Sequence, residues 1–249
     1  MKKQILLITA TVTPQANMPN LKVVNPQERV HQYLESIRFL VQSGATSIFE
    51  KIYLAENSGY DLTLFRHALI EAKCEVELVS IQPRVDGRVG RCLSEFLLID
   101  DAMKVESLAQ ALERGCVLWK ITGRYSILNL NKIVSNQADY DININMRRYP
   151  KKWADLFLFS FNRRGWESIG AALCGFTPEN NTGLSEVDIY DVINSISNKN
   201  EVTVQRRLPF EPHIVGVRGY DGHQYDSGSQ RLKRIVRKTI RLVAPKLEI

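Results

Sequence analysis

The chain has 249 residues, a formal net charge of +6, 44% hydrophobic residues and 24% charged ones. That length buries a sizeable core, and the balance of apolar to charged residues excludes intrinsic disorder. No apolar stretch approaches the ~20 residues of a membrane span, and the run at 5–8 that follows Lys2 and Lys3 is too short for a signal peptide. Four widely spaced cysteines (Cys74, Cys92, Cys116 and Cys174) make neither a metal pattern nor a disulfide framework, which implies a reducing, cytoplasmic compartment. The positive charge favours anionic partners: nucleotides, nucleic acid or acidic lipid. It is unevenly spread. Residues 231–249 hold seven Lys/Arg and one acidic residue, equal to the whole net charge, so the body is close to neutral. This argues against a general nucleic-acid-binding surface.

In chain order, Ile5-Leu6-Leu7-Ile8-Thr9-Ala10 reads as a buried strand opening into a Thr/Pro/Asn-rich loop over 11–26. Val30, Leu34, Ile37 and Val41 recur at helical spacing, with Gly44 as the stop. A second strand over 48–55 ends in the acceptor-rich turn Glu56-Asn57-Ser58-Gly59-Tyr60-Asp61. A helix over 62–72 leads to a third strand over 76–81, the Arg/Gly loop 83–91, and helices over 92–103 and 105–114. The fourth strand, Cys116-Val117-Leu118-Trp119, runs into Lys120-Ile121-Thr122-Gly123-Arg124-Tyr125. Strand followed by helix four times over predicts an α/β fold with a mainly parallel sheet flanked by helices.

Beyond it, alternating residues at 140–146 and 153–161 predict half-buried, antiparallel strands. Helices are expected over 165–174 and 185–196, short strands at 202–204 and 214–217, and a Gly-rich loop over 219–229. The basic tail places Leu232, Val236, Ile240 and Val243 on one helical face. It reads equally as an interfacial helix on an anionic membrane surface through 231–243 or as a helix packing its apolar face on the body. The expected organisation is one domain over 1–229 and a basic amphipathic tail over 230–249.

The chain has no dinucleotide fingerprint, no Walker lysine motif and no nucleophile elbow, and His31, His67, His213 and His223 lack ligand spacing. What remains is four polar clusters, each at the end of an expected strand: Thr9 and Thr11; Glu56, Asn57 and Asp61; Arg84 to Arg91, including Arg88; and Lys120 to Tyr125. Ligands of open α/β sheets bind beyond the carboxyl ends of strands. Carboxylates and amides suit ribose and a base edge. Cations and glycines suit a pyrophosphate.

This order resembles the nucleotide-binding half of small GT-A-fold bacterial glycosyltransferases of capsule and O-antigen (lipopolysaccharide) assembly. The resemblance covers about residues 4–196. It is carried by the turn at Glu56, by the loop Gly87-Arg88-Val89-Gly90-Arg91 opening a helix, and by Lys120-Ile121-Thr122-Gly123-Arg124-Tyr125. It implies a GT-A-like fold and hexosyltransferase-like transfer from a nucleotide-sugar donor to a glycan or lipid-linked glycan acceptor. The expected place is the cytoplasm, peripheral on the inner face of its membrane, with no nucleic acid partner. It implies donor contacts from Thr9, Thr11, Glu56, Asn57, Arg88, Lys120, Gly123, Arg124 and Tyr125.

It also implies a catalytic carboxylate opening a late helix, Glu186 first and Asp188 second, in Gly183-Leu184-Ser185-Glu186-Val187-Asp188. The family's usual Asp-x-Asp metal motif is replaced by Thr122-Gly123-Arg124, and Asp139-Tyr140-Asp141 lies further on. Either those aspartates hold Mn or Mg, or Lys120 and Arg124 do the metal's work with no cofactor required. The second reading is preferred. A nucleotidyltransferase and a basic nucleic-acid-binding protein are the alternatives. The first usually has a Gly-rich, basic loop after the first strand, which residues 11–26 lack. The second wants basic residues interleaved with aromatics over one face.

Overall fold

The computed structural model describes residues 2–19, 21–173, 184–219 and 221–243. Expectations for Cys174, Gly183, the loop 177–183 and the tail beyond 243 lie outside them. Nine strands are described: β1 (Gln4–Ala10), β2 (Lys51–Glu56), β3 (Glu77–Ser80), β4 (Val117–Thr122), β5 (Ser126–Ile127), β6 (Ile142–Arg147), β7 (Trp153–Phe161), β8 (Val204–Gln205) and β9 (Ile214–Val215). The helices are α1 (Pro26–Gln42), α2 (Thr63–Glu71), α3 (Arg91–Ala102), α4 (Glu106–Glu113), α5 (Leu130–Ser135), α6 (Arg163–Leu173), α7 (Glu186–Asn198) and α8 (Gly228–Val243).

Seven strands form one sheet in the order β3-β2-β1-β4-β7-β6-β8. The first four are parallel, β7 runs antiparallel between β4 and β6, and β8 is parallel to β6. The α/β, mainly parallel expectation holds. Side chains alternate across a strand, so β1 feeds two cores. Ile5 and Leu7 pack with α3, α4, α6 and α7 on one face, while Leu6 and Ile8 pack with α1, α2 and α5 on the other. With both faces covered, β1 and β2 carry continuous apolar runs at 5–8 and 52–55, and β4 is apolar over 117–121 but for Lys120.

Local chemistry sets the helix ends. Asn25 caps α1, its Oδ1 accepting from the Gln27 and Glu28 amides at 2.9 and 3.2 Å, with Pro26 at the first helical position. Gly44, at φ 68°, takes the left-handed turn that ends it. The second strand begins later than expected, because residues 45–48 form a 3₁₀ turn. Two unexpected elements, β5 and α5, follow the β4 turn, and β5 pairs with β9. The tail begins its helix at Gly228, two residues before the expected boundary, and α8 is bonded to the body. Among the described residues no helix is long and apolar enough to cross a membrane, and Cys74, Cys92 and Cys116 are unpaired.

Candidate functional site

A cleft of ≈ 480 Å³ lies at the carboxyl ends of β1 and β4. Its floor is polar. Thr9 and Thr122 stand side by side in the β1–β4 register, and Glu95 reaches between them from α3. Glu95 Oε1 accepts from Thr9 Oγ1 at 2.9 Å and from Thr122 Oγ1 at 3.4 Å, and pairs with Lys120 Nζ at 2.5 Å. Lys120 also donates to the Leu156 carbonyl at 2.6 Å and is 0% exposed. Burial pushes its pKa down, opposed by the Glu95 carboxylate. The expectation that Lys120 meets a diphosphate is therefore corrected. It shares its face of β4 with Leu118, toward α3, and sits beneath the floor as the counter-ion of Glu95.

The turn after β4 crosses tightly under β1. The Gly123 amide donates to the Thr9 carbonyl at 3.0 Å, and a Cβ there would lie 2.6 Å from Ile8 Cγ2 and 3.0 Å from that carbonyl oxygen. Only glycine permits this approach. The crossing brings Arg124 beside Arg29 of α1 in the cleft wall. Arg29 is 4% exposed and bonds only neutral acceptors: the carbonyls of Thr11 (2.6 Å) and Val23 (3.0 Å), and Tyr33 Oη (3.4 Å). Arg124 is 7% exposed and reaches Gln32 Oε1 at 3.0 Å and the Val217 carbonyl at 3.4 Å, while its Nε has no partner. Neither guanidinium has a carboxylate partner among the described residues. Burial lowers the pKa of Arg29, and the Arg124 charge adds to that lowering. Tyr125 closes this end, edge-on to Tyr225 at 5.0 Å.

Carboxylates line the other side. Glu186 opens α7, and burial pushes its pKa up, with Arg91 opposing and Glu95 and Asp155 adding. Asp188 does not line the cleft. It accepts from the Ser185 amide at 2.8 Å and from Ser185 Oγ at 2.6 Å, closing a capping box that fixes the start of α7. Asp155 of β7 pairs with Arg147 of β6 at 2.6 Å. Glu211 pairs with Arg241 at 2.6 Å and Arg237 at 3.5 Å, both from α8, and burial raises its pKa against those two cations.

The remaining expected residues lie elsewhere. Thr11 borders the cleft, but its Oγ1 donates to Asn57 Oδ1 at 2.6 Å, and Asn57 opens onto a separate, smaller pocket. Glu56 is fully buried and accepts from the Val12, Ser58 and Tyr60 amides, tying the loop after β1 to the turn after β2. Arg88 is exposed, paired to Asp86 at 3.1 Å, and outside both pockets.

Asp139 pairs with Lys2 at 2.6 Å. Both oxygens of Asp141 are taken, by Asn162 Nδ2 at 2.8 Å and by the Thr203 amide and hydroxyl at 2.8 Å. These aspartates precede β6, which runs parallel to β4, so they lie at the sheet edge opposite the cleft. With both Asp141 oxygens held by the protein's own donors and Asp139 turned to Lys2, the pair does not fit a divalent ion. No group of three or more potential metal ligands occurs among the described residues.

Sequence reasoning missed Arg29, Glu95, Arg147, Asp155, Glu211 and Tyr225. A Lys inside the apolar run Val117-Leu118-Trp119-Lys120-Ile121 was a signal that a buried carboxylate must exist. Arg29 gave none.

The fold and cleft together define an α/β protein with two buried arginines at its strand ends, beside a buried carboxyl with raised proton affinity. No family model and no curated protein sequence matches the chain. Among solved structures it is similar to a protein from Desulfovibrio desulfuricans G20 provisionally described as a nucleotide-diphospho-sugar transferase (13% identity, 82% of this chain and 79% of that one, TM-score 0.48). It is similar to the glycosyltransferase GlyE of Streptococcus pneumoniae TIGR4 (11%, 82% and 45%, 0.49), of which it spans about half the length. A nucleoside-diphosphate-sugar pyrophosphorylase of Vibrio cholerae RC9 is a third (10%, 82% and 91%, 0.47). Similarities of this size define neither a substrate nor a reaction.

Proposed function

We propose that the protein is a glycosyltransferase that binds a nucleotide-sugar donor in this cleft and transfers the sugar to a hydroxyl. The observation that carries the reading is the Arg29–Arg124 pair: two adjacent, buried like charges with no carboxylate partner among the described residues, one with an unpartnered Nε. An uncompensated buried charge costs several kcal/mol, so the arrangement is made for an anion that arrives with the substrate. A diphosphate supplies that charge, and guanidinium forks suit its oxygens.

Glu186 supports the second half of the reaction. A carboxylate with raised proton affinity is a stronger base. The acceptor hydroxyl gives its proton to Glu186 as its oxygen bonds the anomeric carbon. The bond from that carbon to the diphosphate oxygen breaks, and the leaving group's charge falls to Arg29 and Arg124. In this scheme cations act in place of a divalent metal. For the acceptor we read a growing bacterial surface glycan, lipid-linked, on the inner face of the cytoplasmic membrane. That part rests on the sequence resemblance to capsule and O-antigen enzymes. The deciding experiment is a thermal-shift screen with UDP, GDP, CDP, dTDP and CMP and their sugars, with and without manganese. A nucleotide at a hundred times its Kd adds about 2.7 kcal/mol of stability. No shift with any of them at millimolar concentration would end the proposal.

A further inference from the structure

The last helix is turned inside out. At 100° per residue, Gln230, Arg234, Arg237 and Arg241 of α8 share one face, and Leu232, Ile235, Val236 and Val243 share the opposite one. A helix usually packs its apolar stripe on its own protein. Here the polar face does so: Gln230, Arg234 and Arg237 line the cleft, and Arg241 donates to the Leu208 carbonyl at 2.7 Å and to Asn145 Oδ1 at 2.9 Å. The four apolar side chains point away and are 47–76% exposed. Arg231, Lys233 and Lys238 flank them, all exposed.

The Asn145 contact brings α8 against β6, beside the hairpin that joins β6 to β7. That hairpin reads Arg148-Tyr149-Pro150-Lys151-Lys152 and leads into Trp153, with Tyr149 57% exposed. Pro150, Lys151 and Trp153 border the same cleft as α8. Among the described residues Arg148, Lys151, Lys233 and Lys238 have no carboxylate partner.

We propose that α8 and the β6–β7 hairpin form a single face that seats the mouth of the cleft on an anionic bilayer. Exposed aliphatics on a helix with basic flanks, beside a Tyr and a Trp, match the layering of a membrane interface: apolar groups below the headgroups, aromatic rings at their level, cations against the lipid phosphates. A second copy of the chain fits less well. A two-fold contact through this face would bring lysines and arginines against their own copies. The arrangement also fixes orientation. The arginine side of α8 walls the cleft and the apolar side meets lipid, so the cleft opens at the headgroup layer.

The test is sedimentation of the full chain with phosphatidylcholine vesicles, with and without phosphatidylglycerol. It needs no nucleotide sugar, so it stands or falls separately from the proposed reaction. Wild type is expected to pellet with the anionic vesicles and to be released by salt. Leu232→Ser with Val236→Ser should lower the partition coefficient about tenfold with an unchanged melting temperature, since both side chains are exposed. Trp119 and Trp166 are buried, so brominated lipid should quench Trp153 alone, and Trp153→Phe should remove the quenching.

Failure to pellet, or a double variant that pellets as well as wild type, overturns the proposal. Pelleting without Trp153 quenching overturns the two-element face. A dimer in light scattering that the double variant dissolves, without vesicle binding, assigns the surface to a second copy instead.

Discussion

Replacing Arg124 with Met separates a binding role from a structural one, because the two predict opposite signs. The substitution removes two hydrogen bonds to neutral acceptors, one at 3.0 Å and one weak at 3.4 Å, and a stacking contact with Tyr125 at 5.5 Å. Such bonds are each worth about 1 kcal/mol, and stranding the Gln32 and Val217 acceptors costs about 1–3 kcal/mol. Against that stands the release of an uncompensated buried charge beside Arg29, several kcal/mol by the same scale. The unliganded variant should therefore be as stable as wild type or more stable by about 1 kcal/mol, a rise of roughly 2–4 °C in a domain this size.

Its affinity for a nucleoside diphosphate should move the other way. Charge-assisted bonds contribute about 1.5–3 kcal/mol, so Kd should rise roughly tenfold to a hundredfold. Arg124→Lys should recover little, because a point charge does not reproduce the fork. Calorimetric titration and thermal melts on the same samples measure both quantities. A Met variant that melts well below wild type while binding nucleotide equally would refute the reasoning and make Arg124 a packing residue.

Glu186→Gln should cut turnover by about 10²–10⁴-fold with little change in donor affinity. Because burial raises its native pKa, the native state holds the proton that the unfolded chain releases. Stability from protonated Glu186 is thus full below the ordinary carboxyl range and lost as pH rises through the native value. The Gln variant should melt above wild type at pH 7, and the two should converge below about pH 4. Lys120→Met strands Glu95 and should cost about 3 kcal/mol, the lower end for a broken buried pair because Glu95 is partly exposed. Adding Glu95→Gln should restore much of it in a double-mutant cycle. With Arg29 and Arg124 in a metal's place, EDTA should leave nucleotide affinity and turnover unchanged. Asp141→Asn should lower only the melting temperature. Chelator-sensitive activity restored by manganese would defeat this scheme.

The strand–helix alternation was legible because parallel strands covered on both faces are continuous apolar runs, as in Ile5-Leu6-Leu7-Ile8. β5 and α5 were not, since a two-residue strand pairing with residues 214–215 leaves no local period. At the site, the close backbone approach expected of Gly123 is present, made to Thr9 rather than at the cleft surface, and Arg124 lines the cleft. Lys120 was misread because a cation near a strand end looks solvated unless the opposing helix is known to supply Glu95. Glu56 was misread for a related reason. A carboxylate in a polar turn serves ligand or backbone equally well in sequence, and only the fold shows three amides closing on it. The amphipathic character of the tail was plain, but which face meets the body was not, because that choice rests on Glu211 and Asn145.

The roof over the Arg29–Arg124 pair also has a bearing on biogenesis. The Lys22 amide donates to the Gly219 carbonyl at 2.8 Å, Arg124 reaches Val217, and Tyr225 meets Tyr125. Arg29 and Arg124 thus leave the ribosome well before Val217, Gly219 and Tyr225, which must fold back to cover them. Such distant pairings form slowly. Until they do, Arg29 and Arg124 keep only their bonds to Thr11, Val23, Gln32 and Tyr33, and the groove around them lies open to water. Recovery of nucleotide binding during refolding should accordingly lag behind recovery of helix signal.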